Sequence, residues 1–241
     1  MSDLKLFDNI SLPVIAAPMF LISNPKLVIE CCKNGIIGTF PALNQRTSKG
    51  LEKWIIQIKT LLEEFESKTG KKAAPFGVNL IVHQSNPRLK SDLKICIKHR
   101  VPIIITSLGA VPKLVNAVQG YGGKVFHDVI KKRHAEKAAE AGVDGLILVC
   151  AGAGGHAGTL SPFALVREVR EFFDGPIALS GSISEGSSVL SAQALGADYA
   201  YIGTRFIATK EANASPGYKQ MIVDSAANDI MYSPTFTGVH G

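Results

Sequence analysis

His156 lies within a glycine-rich stretch, Gly152-Ala153-Gly154-Gly155-His156-Ala157-Gly158, directly after the apolar run Leu146-Ile147-Leu148-Val149-Cys150. Glycines let backbone come close to a ligand, and imidazole is the side chain that exchanges protons near neutral pH. The pairing suits a flat cofactor beside a proton-transfer step. A lone loop histidine could equally satisfy a backbone carbonyl, but little else in this loop can do chemistry. His99 and His134 fall on helix-like stretches and read as surface residues, whereas His127-Asp128 closes an apolar run and is expected to face the same site. The glycines also match a loosened dinucleotide fingerprint. That fingerprint opens its helix within the glycines, and here Ser161-Pro162 sets the helix start several residues later. No Gly-x-Ser-x-Gly elbow and no metal-ligand spacing of His, Cys and acidic residues accompanies the loop, so its chemistry would be borrowed from a cofactor.

The elements that must position this loop are legible as short apolar runs. They occur at Pro13 to Ala17, Ile36 to Phe40, Phe76 to Ile81, Ile103 to Thr106, Lys124 to Val129, Gly145 to Cys150, Ile177 to Leu179 and Tyr199 to Ile202. Each is too short for a buried helix and suits a parallel strand covered on both faces. Helices are expected from Pro25 to the Asn34-Gly35 stop, and over Ser48 to Phe65, Pro87 to His99, Pro112 to Gln119, Lys131 to Ala141, Pro162 to Phe173 and Glu185 to Leu195, several with Ser or Pro at the start and Gly beyond the end. The alternation predicts an α/β fold, a (β/α)8 TIM barrel, with a doubly wound open sheet as the alternative. In a barrel the site lies at the carboxyl ends of the strands, and phosphate often binds after the last two. There the chain has Ser180-Gly181-Ser182 and Gly203-Thr204, whose amides and hydroxyls could cradle a phosphate beside a helix amino terminus.

With 241 residues, 46% of them hydrophobic, the chain can bury one large core. Residues 1–241 are expected to form a single domain, with 204–241 a less regular segment broken at Ser215-Pro216-Gly217. The formal charge of +6 comes from scattered Lys and Arg, a pattern that argues against nucleic acid and fits an anionic small ligand. Cys31, Cys32, Cys96 and Cys150 show neither disulfide nor zinc spacing and read as core residues in a reducing compartment. The start resembles no secretory signal, and no apolar run approaches the roughly 20 residues of a membrane span, so a cytoplasmic protein without membrane contact is expected.

Pro13-Val14-Ile15-Ala16-Ala17-Pro18-Met19, Phe76-Gly77-Val78-Asn79-Leu80, Ala153-Gly154-Gly155-His156-Ala157-Gly158, and Ala194-Leu195-Gly196-Ala197-Asp198 leading to Gly203-Thr204-Arg205-Phe206 together resemble the nitronate monooxygenase family, also called 2-nitropropane dioxygenases, along nearly the whole chain. The resemblance implies a TIM barrel holding FMN without a covalent bond. Pro18, Met19, Phe20 and Asn79 would lie at the flavin ring, Gly154 and Gly155 would border it, and Ser180, Gly181, Ser182, Gly203 and Thr204 would bind its phosphate. His156 matches the catalytic histidine, acting as base toward a nitroalkane or steadying an anionic nitronate that oxygen helps convert to a carbonyl compound and nitrite. Related FMN-dependent NADH:quinone and enoyl-ACP reductases share much of the pattern, and a flavin-binding barrel without turnover is a third reading. The chain departs from the family at Ser182, where relatives often have glycine, and at Asp128, where some have lysine; Asp128 is carried as a cofactor-lining residue. Relatives continue past Phe236-Thr237-Gly238-Val239, so the C-terminal portion is read as shortened, either because the chain is a truncated piece or with a pocket more open than in relatives. The sequence leaves the oligomeric state open.

Overall fold

A computed structural model describes residues 7–109, 111–155, 158–235 and 241. Eight parallel strands close into a barrel in chain order: β1 (Val14–Ala16), β2 (Ile37–Pro41), β3 (Phe76–Ile81), β4 (Ile103–Ser107), β5 (Lys124–Val129), β6 (Gly145–Val149), β7 (Ile177–Ser180) and β8 (Tyr199–Ile202). Closure comes from β1, whose Ile15 is in register with Ile37 of β2 on one side and Tyr201 of β8 on the other. Between the strands run α1 (Pro25–Lys33), α2 (Ser48–Thr69), α3 (Leu89–Lys98), α4 (Pro112–Gln119), α5 (Lys132–Glu140), α6 (Pro162–Arg170) and α7 (Gly186–Ala194), followed by α8 (Thr204–Ile207) and α9 (Pro216–Asp224).

Local chemistry sets these boundaries. Asn24 accepts from the amides of Lys26 and Leu27, and Pro25 opens α1. Thr47 caps α2 through Gly50, and Gly70 ends it at φ 69°, so α2 runs past the expected Phe65 to Thr69. Ser215-Pro216-Gly217, read as a break, starts α9 instead. Ser215 Oγ accepts from the Tyr218 amide at 3.3 Å, the same Ser-Pro start signal that marks α6. His99 caps the end of α3 on the surface, half-buried, with its Nε2 2.8 Å from Glu52 Oε1.

Period-2 alternation along each strand divides the core in two. Residues such as Val125, Val129, Leu146 and Leu148 face the helices in one cluster, with Leu165 and Val169 of α6. Ile15, Ile37, Ile105, Phe126, Ile147 and Tyr199 fill the barrel itself, with Phe7 and Ile10 packed against them. Each fully buried Ile or Phe contributes about 1.5–3 kcal/mol of apolar burial. Phe126 meets Tyr199 edge to face at 6.3 Å, and its ring takes the space beside Gly145. A Cβ on Gly145 would stand 2.4 Å from that ring. Among the described residues no helix is long and apolar enough to cross a membrane.

Candidate functional site

Above the apolar filling, three inward positions on consecutive strands turn polar. Asn79 of β3, Ser107 of β4 and Asp128 of β5 stand in phase with the inward Ile103, Ile105 and Phe126, and they form one hydrogen-bonded line. The Asn79 amide donates to Ser107 Oγ at 2.8 Å and to the Ile105 carbonyl at 3.4 Å. Ser107 Oγ donates in turn to Asp128 Oδ2 at 2.5 Å. Asp128 Oδ1 is enclosed and has no partner among the described residues. Burial pushes the Asp128 carboxyl up to about 6, opposed only by the Ser107 bond. The same carboxylate adds to the burial that raises the Tyr201 phenol on β8, so the two groups share the upper barrel.

His127 does not join them. Expected to share the mouth with Asp128, it points the opposite way because neighbouring strand residues alternate faces. Its Nδ1 lies 2.7 Å from Thr106 Oγ1 in the layer beneath the helices, and burial lowers its pKa to about 4.

Loops at the same end of the barrel form the wall. Past β1, the backbone turns tightly at Met19, whose amide donates to Ser23 Oγ at 2.9 Å and whose carbonyl accepts from Asn44 at 3.0 Å. This turn follows Pro18 and leaves Phe20 65% exposed. Met19 also neighbours the loop after β8, because a Cβ on Gly203 would stand 3.7 Å from Met19 Sδ. The loop after β6 folds back on its own strand: Ala151 donates to the Leu160 carbonyl and Gly158 to that of Val149. It displays Gly154 and Gly155 with open space where their side chains would be. Terminal Gly241 lies against Gly155 and pairs through its backbone with Ser233.

The loops after β6 and β7 are tied together. The Ser182 amide donates to the Gly152 carbonyl at 3.0 Å, and a Cβ on Gly152 (φ +84°) would collide with Ser182 Oγ at 2.0 Å. Ser182 itself holds φ at 52° and follows Gly181 at 134°. The tie corrects one expectation, since the Ser182 amide is committed to Gly152 and leaves only its hydroxyl for a phosphate. Ser180 ends β7 two residues before Ser182. The amides of Gly181, Gly203 and Thr204 have no acceptor among the described residues. The helix terminus at this point is that of α8, which Gly203 caps and Thr204 opens. The start of α7 carries its own carboxylate, Glu185, and Ser188 Oγ accepts from the Ser184 and Glu185 amides at 3.2 and 3.1 Å. The other helix there, α8, is four residues long.

The structure thus gathers Met19, Asn79, Asp128, Gly154, Gly155, Ser180, Gly181, Gly203 and Thr204 at one end of the barrel. His156 follows Gly155 directly and lies outside the described residues. Sequence reasoning missed Ser107, because the expected strand stopped at Thr106. Extending the alternation from Ile103 and Ile105 by one step would have found it. Tyr201 was read only as strand apolar content.

The sequence profile of the family described as nitronate monooxygenase matches residues 87–240. A Rhodococcus jostii protein named (3aS,4S,5R,7aS)-5-hydroxy-7a-methyl-1-oxo-octahydro-1H-indene-4-carboxyl-CoA dehydrogenase is 27% identical over 94% of this chain, which spans 61% of that relative's length. The nitronate monooxygenase of Pseudomonas aeruginosa is 25% identical over 95% of this chain and 76% of its own. Among solved structures, FabK from Thermotoga maritima superposes with a TM-score of 0.82 at 29% identity, covering 96% of this chain and 70% of that one.

Proposed function

Because the chain belongs to the nitronate monooxygenase family, we propose that it is a flavin-dependent oxidoreductase that binds FMN and oxidises alkyl nitronates with oxygen to a carbonyl compound and nitrite. The observation that carries this reading is the polar line from Asn79 through Ser107 to Asp128, set on an apolar floor and walled by glycine loops. Such a surface accepts a flat heteroaromatic ring, with apolar contact beneath it and a few convergent polar groups at its edge.

The residues present fit a flavin in three ways. Asp128 Oδ1 is enclosed without a partner, as expected where a ligand atom completes the bonding. The amides of Gly181, Gly203 and Thr204 are uncommitted, as a phosphate requires. Gly154 and Gly155 put no side chain into the wall, with open space where a Cβ would stand. Pro18, Met19 and Phe20 would meet the ring from β1, and the Ser180 and Ser182 hydroxyls would supplement the phosphate amides. When bound, FMN supplies the electron acceptor that the side chains lack. The protein's own task is to hold the proton and the charge. His156 takes the proton from the carbon of a neutral nitroalkane, or donates a hydrogen bond to the oxygens of a nitronate that arrives already ionised. Tyr201 and the apolar filling beneath keep water from entering below.

The test is aerobic nitrite release from ethylnitronate or propionate 3-nitronate, with oxygen uptake measured alongside. Nitrite formation by the yellow holoprotein supports the reading; bound FMN with no nitrite from either substrate overturns the substrate assignment. The Rhodococcus relative, named for a carboxyl-CoA dehydrogenase, favours a second reading in which the same floor serves a thioester. Anaerobic mixing separates the two, since NADH would bleach the flavin under the reductase reading and a nitronate would do so under the first. A barrel that binds flavin without turnover would respond to neither.

A further inference from the structure

The hydrogen bonds of the polar line all run one way. Asn79 donates to Ser107, Ser107 donates to Asp128 Oδ2, and nothing among the described residues donates to Oδ1. An ionised carboxylate enclosed with a single donor is poorly stabilised. Among the described residues no cation compensates from the packed elements. From β4 it meets Ser107. The inward side of β6 is apolar at Ile147 and Val149, and β8 brings the Tyr201 phenol. On β5 itself, Lys124 is engaged by Asp144 at 3.1 Å, and His127 faces Thr106 in the opposite layer.

We propose that Asp128 is the hydrogen-bond donor this site offers its ligand: Ser107 fixes Oδ2, and Oδ1 carries a proton, taken from solvent as the ligand binds, to an acceptor atom on the ring. The inference rests on the flavin reading of the site. The step is a simple protonation, carboxylate plus one proton giving carboxylic acid. Burial already favours the neutral form, and a ring that displaces the remaining water while presenting a lone pair favours it further. An oxidised flavin carries such acceptors along its pyrimidine edge.

The experiment is an FMN titration followed by flavin fluorescence at stepped pH, for the wild type and for Asp128→Asn, whose amide donates at every pH. The wild-type dissociation constant, relative to that of the variant, is expected to rise about tenfold between about pH 6 and pH 8 by proton linkage. The FMN phosphate titrates in both proteins and cancels in the ratio. Calorimetry of riboflavin binding, without that phosphate, in buffers of different ionisation enthalpy gives a second readout that needs no variant. Wild type is expected to take up more than about half a proton near pH 7. Both measurements are repeated in His156→Asn to separate the histidine's own titration. Parallel pH profiles for wild type and Asp128→Asn, or no proton uptake, overturn the proposal while leaving the flavin reading in place. Failure to bind flavin at any pH overturns both.

Discussion

At the scale of single residues, the two neighbours at the end of β5 respond oppositely to pH. Asp128 is raised to about 6, so between pH 4 and 6 the folded protein binds more protons there than the unfolded chain. That contribution to stability falls as pH rises through the window. His127 is lowered to about 4, so from pH 4 to 6.5 the folded protein binds fewer protons, and its contribution rises with pH. The slopes offset each other in the wild type. Asp128→Asn should leave a stability that climbs between pH 4 and 6, by about 2 kcal/mol. His127→Gln should leave one that descends, whatever its overall cost. Urea unfolding at stepped pH checks both, and equal slopes in the two variants would contradict the burial argument. The family resemblance made Asn79 a candidate, and its place at a strand end together with that resemblance made Asp128 one, but neither showed that His127 faces away. That distinction needed strand phase, fixed once Phe126 was known to fill the barrel and Val125 and Val129 to meet the helices.

At the scale of elements, two glycines test the packing. Gly145→Ala would press a methyl into the Phe126 ring, an overpacking expected to cost about 1–3 kcal/mol. Phe126→Leu in the same chain should recover part of the loss in thermal unfolding. Gly152→Ala combines a positive φ with a clash at Ser182 Oγ and is expected to cost about 1–2 kcal/mol. Because it loosens the tie between the loops after β6 and β7, it should also weaken FMN binding. Adding Ser182→Gly removes the colliding hydroxyl and relaxes φ 52° at that residue, and so should restore both. Strands and helices were legible to within a few residues because Pro, Ser and Gly punctuate the chain and apolar runs are short. The Ser182 to Gly152 bond was not, since it joins backbone atoms that any residue pair possesses. Of the two helix starts at this end, that of α8 carries the uncommitted Gly203 and Thr204 amides, whereas that of α7 is capped by Glu185. Glu185 reads as an ordinary helix residue until the boundary is placed one position later, when it becomes the cap.

At the scale of the molecule, the barrel's last strand pairs with its first, so no strand can leave without opening the ring. A single cooperative transition is therefore expected in denaturant, with near-ultraviolet and far-ultraviolet circular dichroism coinciding; separated midpoints would divide the chain into more than one unit. Eight runs in alternation with helices pointed to the closed barrel, as did the family resemblance, although an open doubly wound sheet shows the same alternation. Register decided it, through Ile15 standing between Ile37 and Tyr201. With Phe126 and Tyr199 meeting in the middle and Phe7 and Ile10 packed against the filling, the described residues leave the floor of the site no passage down through the barrel. Whatever settles beneath the glycine loops must leave by the route it entered, so two reactants that both need the floor have to take turns there. Such a barrel favours exchange in sequence over simultaneous occupancy, and steady-state velocities plotted against the two concentrations would show it as parallel lines.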